Sequence, residues 1–373
     1  MRIAIVGPFP PFRGGIADLN SALGYHLSKM HEVHAFNFTT QYPKAFFPGT
    51  TQYKSGGAAQ DFQNIRCLSS INPLTWKQTA NLIIELKPDL VLFRYWMPFF
   101  APAFSSVAKR IKKQTDINII AMCDNIIPHE SRFFDNRLTK YFFKYIDYFI
   151  VMSRSVENDL LSLFPDAKYI YTPHPLYDIF GKSINKEESR SHLKINESKL
   201  ILFFGLIRPY KGLDLLIQAA NVLKQKLTDF KVLAIGDCYE NPEPYSNMID
   251  EHKINDIFDL RFEFVPHNKV SLYFSAADII VLPYKSATQS GIVPIAYHFN
   301  KPVIVTNVGG LGEIVQEGKT GYLVNPDSVE IANSIIKYYT NSDKINFKEN
   351  IKVYNKNFSW DKFVEAIQSI IVK

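Results

Sequence analysis

The chain has 373 residues, 46% of them hydrophobic and 21% charged, which describes a folded protein too long for one ordinary core and leads to an expectation of two domains. Its net charge of +6 lies in residues 1–190, which hold 22 Lys and Arg against 16 Asp and Glu; the remainder holds 20 of each. An excess that small, without a helix-turn-helix, zinc-finger or single-strand-binding pattern, argues against a nucleic-acid partner.

Taken in order, the chain alternates short apolar runs with helical patterns. MRIAIVGPFPPF reads as a strand (3–7) and a loop, not a signal peptide. Ile16, Leu19, Leu23 and Leu27 then share a helix face, and a strand follows at 32–38. Residues 39–60 read as a polar, glycine-bearing loop. Strands are expected at 90–93, 117–123 and 148–153, the last leading into a serine-capped helix, SVENDLLSLF. Strand, helix, strand in this order indicates a parallel sheet covered on both faces. The pattern pauses in a proline- and charge-rich stretch and restarts with LILFFG (200–205), a helix over 212–227, and strands KVLAIGD, RFEFVP, DIIVLPY and PVIVTN. The fold class is therefore α/β, with two doubly wound domains facing a central cleft. The divisions are an N-terminal domain at 1–175, a linker at 176–195, a C-terminal domain at 196–357, and an amphipathic helix at 358–373 that packs back toward the first domain.

Cys67, Cys123 and Cys238 are far apart and odd in number, which suits a reducing compartment better than a disulfide framework. No uncharged apolar run approaches the ~20 residues of a membrane span. Cytoplasmic placement is expected, with peripheral contact to the membrane as an open alternative. Lys109, Arg110, Lys112 and Lys113, then Arg132, Arg137, Lys140 and Lys144, form basic clusters. They are either a solvated helix face or a surface drawn to anionic lipid or an anionic substrate.

In open α/β sheets ligands bind beyond the carboxyl ends of the strands. After the first strand stand Arg13, Gly14 and Gly15 before a helix, which suits a plain turn or an anion against backbone amides. After LILFFG come Arg208 and Lys211, suited to a diphosphate or simply to a solvated loop. After DIIVLPY, the residues Thr288, Gln289, Ser290 and Gly291 open a helix; they cap it or hold phosphate and sugar hydroxyls. After PVIVTN, Gly309 and Gly310 repeat the device, with Glu313 in the next turn. On the first domain, Arg94 and Trp96 end one strand, and Asp124 ends another, with His129 and Glu130 following.

The stretches PFRGG, GLIRPYKGLDLLIQAA and ADIIVLPYKSATQSGIVPIAYHFNKPVIVTNVGGLGEIVQEGKTGYLV make the chain resemble the retaining glycosyltransferases of family 4, of GT-B fold, over nearly its whole length. The resemblance implies a metal-independent glycosyltransferase, without cofactor, moving a sugar from a UDP- or GDP-linked donor to a hydroxyl of a glycan or lipid-linked acceptor. It implies catalytic roles for His129, Arg208 and Lys211. Gly14, Gly15, Thr288 to Gly291, Gly309, Gly310 and Glu313 would bind donor; Arg94, Trp96, Asp124 and Glu130 would bind acceptor. Two departures stand out. The family's Glu-x7-Glu pair falls on Ala287 and Ile295, and Arg208 lies three residues before Lys211 where the family commonly has five. No D-x-D occurs, so a metal-bridged diphosphate is not indicated. A donor-binding protein without transfer activity, and another GT-B-type enzyme such as a sugar-nucleotide epimerase, stay as alternatives. The absence of G-x-G-x-x-G disfavours a dehydrogenase.

Overall fold

Residues 1–43, 51–53, 61–128, 133–177, 179–238 and 240–371 are described by a computed structural model. They divide into two units, residues 1–174 with 360–373, and residues 175–359.

Runs such as Leu90–Phe93 and Ile279–Leu282 are apolar at every position, as expected of parallel strands buried on both faces. In unit 1 the strands are β1 (Arg2–Val6), β2 (Glu32–Thr40), β3 (Gln63–Ser69), β4 (Leu90–Tyr95), β5 (Asn118–Cys123), β6 (Tyr148–Val151) and β7 (Tyr169–Tyr171). They form one parallel sheet in the order 3-2-1-4-5-6-7. Helices α1 (Gly15–Ser28), α2 (Pro73–Leu86), α3 (Ala101–Gln114), α4 (Asp135–Phe143) and α5 (Arg154–Leu163) connect them. Ser153 caps α5 by accepting from Val156 N at 3.2 Å. The core under α2 to α4 is largely aromatic, with Phe38, Phe93, Phe100, Phe104 and Phe142 in mutual ring contact.

Unit 2 begins with α6 (Lys186–Leu193), capped by Asn185. Its parallel sheet holds β8 (Lys199–Phe204), β9 (Phe230–Ile235), β10 (Phe258–Arg261), β11 (Ile279–Leu282), β12 (Val303–Thr306) and β13 (Gly321–Val324), ordered 10-9-8-11-12-13. The helices are α7 (Leu213–Leu223), α8 (Glu243–Glu251), α9 (His267–Ala276), α10 (Ile292–His298), α11 (Ser328–Asn341) and α12 (Phe347–Asn355). The chain then returns to unit 1 as α13 (Trp360–Ile371), packing against α1. There the Trp360 ring stacks on His26 at 4.7 Å.

Three differences from the sequence reading have physical causes. The stretch expected to be a linker contains α6, whose Arg190 donates to Ala276 O, Glu197 O and Ser198 O and pairs with Asp278, so this charge fastens the helix to unit 2. The strand expected at RFEFVP lies earlier, at Phe258–Arg261, because the buried Phe258 sets the register against Val232 while Phe262 and Phe264 are exposed. Strands β3 and β7 escape a search for apolar runs, since β3 carries Gln63, Asn64 and Arg66 and β7 is only half-buried. No helix among the described residues is long and apolar enough to cross a membrane.

Candidate functional site

In a doubly wound sheet the strand order reverses at one point, and the loops leaving the two strands there diverge to opposite faces, opening a crevice. In unit 2 that point lies between β8 and β11. The β8 loop runs from Gly205 to Gly212 and the β11 loop from Pro283 to Gly291. They meet backbone to backbone at Gly212, where an added Cβ would lie 1.9 Å from Pro283 O and φ is +68°. Lys285 N donates to Tyr210 O at 2.8 Å, and the Lys285 ammonium pairs with Asp214 at 2.6 Å.

Lys211 stands on this junction. Its Nζ lies 3.8 Å above the centre of the Tyr284 ring and 5.3 Å from that of Tyr210. Among the described residues no carboxylate pairs with it. Burial of the ammonium pushes its pKa down to about 8. Tyr284 is almost fully buried, its hydroxyl 3.3 Å from Ser290 Oγ, and desolvation raises its own pKa. A cation held on aromatic faces without a counter-charge lacks an anion. Arg208, half-buried, opens the turn that ends at Lys211, and α7 starts immediately beyond with its positive end at the junction.

The remaining donor-side candidates take several roles. Ser290 is buried, and its Oγ accepts from Ile292 N at 3.2 Å, so this hydroxyl supports Tyr284 and the start of α10. Thr288, Gln289 and Gly291 keep partial exposure on the same loop. Gly309, at φ +50°, passes so close to the β11 loop that a Cβ would lie 1.6 Å from Ala287 O. Gly310 is buried and Glu313 exposed, and the segment around them is a run of turns, not a helix. Ala287 and Ile295, the positions of the missing carboxylates, are both buried against the protein.

In unit 1 the order reverses between β1 and β4. The β1 loop is held by three asparagines that the sequence reading missed. Asn37 donates to Phe9 O and Pro10 O and accepts from Phe9 N; Asn64 donates to Pro10 O and Asn20 to Pro8 O. Beyond it, Gly14 and Gly15 are exposed at the start of α1. The expectation that Arg94 touches an acceptor is corrected: it has no exposed surface and forks through two nitrogens onto Asp124 from the neighbouring strand. Asp124 keeps a small exposed edge. Trp96 is buried too, its ring packed on Phe100 and its Nε1 donating to Tyr42 Oη at 3.1 Å. Its part is therefore packing. His129 and Glu130 lie outside the described residues. Removing Arg94 strands a largely buried carboxylate, so Arg94→Met is expected to cost about 3–5 kcal/mol in a urea denaturation. A loss below about 1 kcal/mol would show that Asp124 does not depend on it.

Comparison with known proteins places these features. The model of the glycosyl transferases group 1 matches residues 185–370, which are unit 2 almost entire with most of α13. An uncharacterized glycosyltransferase of Methanocaldococcus jannaschii is 30% identical over 240 residues, 62% of this chain and 62% of its own length. The matches to the spore coat protein SA of Bacillus subtilis and to a D-inositol 3-phosphate glycosyltransferase of Corynebacterium aurimucosum likewise span 64% and 56% of those proteins. A second M. jannaschii relative, also an uncharacterized glycosyltransferase, is 27% identical over 99% of this chain and 97% of its own. Among solved structures, Anabaena HepE in complex with UDP superposes with a TM-score of 0.74 at 16% identity, covering 99% of this chain and 100% of that one.

Proposed function

Residues 185–370 match the glycosyl transferases group 1 and the chain has the GT-B fold of paired Rossmann-like units; from that premise we propose that it is a glycosyltransferase of this group that moves a sugar from a nucleotide-diphosphate sugar to an acceptor hydroxyl, with retention at the anomeric carbon and without a metal. The carrying observation is the partly buried ammonium of Lys211 on the Tyr284 ring at the switch point of unit 2, with no carboxylate partner among the described residues. When the glycosidic bond to the donor breaks, negative charge collects on the departing diphosphate. A cation fixed there beforehand, with Arg208 and the start of α7 beside it, stabilises that charge without rearrangement. The ammonium meets the donor's phosphates in the ground state and meets more charge in the transition state, so the interaction is strongest there.

The donor is UDP- or GDP-linked; HepE, of like fold, was solved with UDP. The buried Ala287 and Ile295 leave no acidic group at those positions to grip the donor's sugar, so Thr288, Gln289 and the backbone around Gly309 and Gly310 take that part with neutral groups. In unit 1, Asp124, aimed by Arg94, is the polar group presented to the acceptor at the end of β5. The acceptor is a glycan or a lipid-linked hydroxyl.

Thermal melts with UDP-, GDP- and ADP-sugars test the reading, because a ligand bound only by the folded protein raises the melting temperature. One class is expected to stabilise and to be consumed when acceptor is supplied, and no shift with any would contradict it. Turnover is expected to persist in excess EDTA, since the cations are side chains. Complete loss restored by magnesium or manganese would overturn the metal-free step.

A further inference from the structure

The β5 loop leads into α4 through Phe133 and Phe134, which are 87% and 52% exposed. Phe133 lies one turn before Arg137, with the guanidinium 5.3 Å from its ring. Arg137, Lys140, Tyr141 and Lys144 continue the same outward face at helical spacing, and Tyr141 is 42% exposed. The opposite face, with Thr139, Phe142 and Phe143, is buried in the core of unit 1, and Asp135, the helix's acidic residue, is buried as well. Among the described residues Arg137, Lys140 and Lys144 have no carboxylate partner. Among the described residues the face thus carries three cations without a carboxylate partner, two protruding phenylalanines, a tyrosine and no exposed acid.

We propose that this face docks unit 1 on an anionic lipid surface, with Phe133 and Phe134 entering the headgroup boundary and Arg137, Lys140 and Lys144 resting on the lipid phosphates. A solvated helix face explains the cations but not two large apolar side chains turned to water at its start; a lipid boundary accepts both. Tyrosine suits the same boundary, with its ring in and its hydroxyl out. The inference deepens the proposed function, resting on its lipid-linked acceptor: the docked face begins at the loop that follows Asp124.

Flotation with vesicles of phosphatidylcholine, alone or mixed with phosphatidylglycerol, tests it on the full chain. Binding is expected only to the mixed vesicles, weakening with salt and by about fivefold for each of Arg137→Gln, Lys140→Gln and Lys144→Gln. Phe133→Ser with Phe134→Ser is expected to weaken it by about tenfold or more, with the fold intact because both side chains are exposed. Phe133→Trp should show a blue-shifted emission on vesicles. Calorimetric donor binding is expected to be unchanged in all these variants, so failure of docking and failure of the donor site are read separately. Equal binding to neutral and mixed vesicles, or binding indifferent to the phenylalanines, would overturn the proposal. So would a dimer in sedimentation that dissolves in Phe133→Ser, which would assign the face to a second copy of the chain.

Discussion

Lys211→Met is expected to lower turnover by about 10²-fold or more, the scale for losing one preorganised stabiliser of developing charge, while the protein stays folded and loses no stability. The second half follows from the sign of the shift. The ammonium's pKa is lowered in the folded chain to about 8, so between there and the ordinary lysine value the unfolded chain binds more protons. Protonation therefore costs folded-state stability at neutral pH, and that cost is relieved as pH rises through about 8 and beyond. Methionine carries no charge to desolvate and can keep the contact with the Tyr284 ring. A variant inactive but at least as stable identifies a group kept for its ligand. Kinetics at saturating donor, with a melting curve beside them, check both halves. Wild-type turnover would remove Lys211 from the mechanism.

Gly309→Ala is expected to destabilise by about 3 kcal/mol or more and to abolish measurable donor binding. Two causes add. The residue holds φ at +50°, which costs a residue bearing a Cβ roughly 1–2 kcal/mol. The new Cβ would also lie 1.6 Å from Ala287 O, so the β11 loop must move, carrying Thr288 and Gln289 with it. Gly318→Ala separates the two causes, because Gly318 has φ +70° with nothing within 4 Å of the added carbon. It is expected to lose only the backbone part, with donor binding intact. Equal effects in both variants would show that contact between the loops does not shape the site.

Much of the fold was legible because a parallel strand covered on both faces carries an unbroken apolar run; β1, β4, β5, β8, β11 and β12 each announce themselves by one. The loops that carry the candidate site follow from those strands, and Arg208 and Lys211 could be named as candidates from sequence because they stand in the loop after β8. What sets the state of Lys211 could not. The Tyr284 ring comes from the β11 loop and meets the ammonium only once the sheet is assembled. The sole local hint was an aromatic residue closing an otherwise aliphatic strand end, LPY. Arg94 misled for a related reason. A strand-end arginine reads as a ligand group, whereas the register of β4 on β5 turns it inward onto Asp124. The asparagines that hold the β1 loop are scattered over α1, β2 and β3, with no motif to join them.

The most direct test is a calorimetric titration of the wild-type protein and Lys211→Met with the nucleotide-sugar, repeated between about pH 7 and pH 10. If the donor's diphosphate binds the protonated Lys211, wild-type affinity is flat at the low end and falls by about tenfold per pH unit above a free-protein pKa near 8. In Lys211→Met the affinity is weak throughout and that slope is gone. The same fall with pH in both proteins, or equal affinity in both at pH 7, would contradict the placing of the donor on the junction of the β8 and β11 loops.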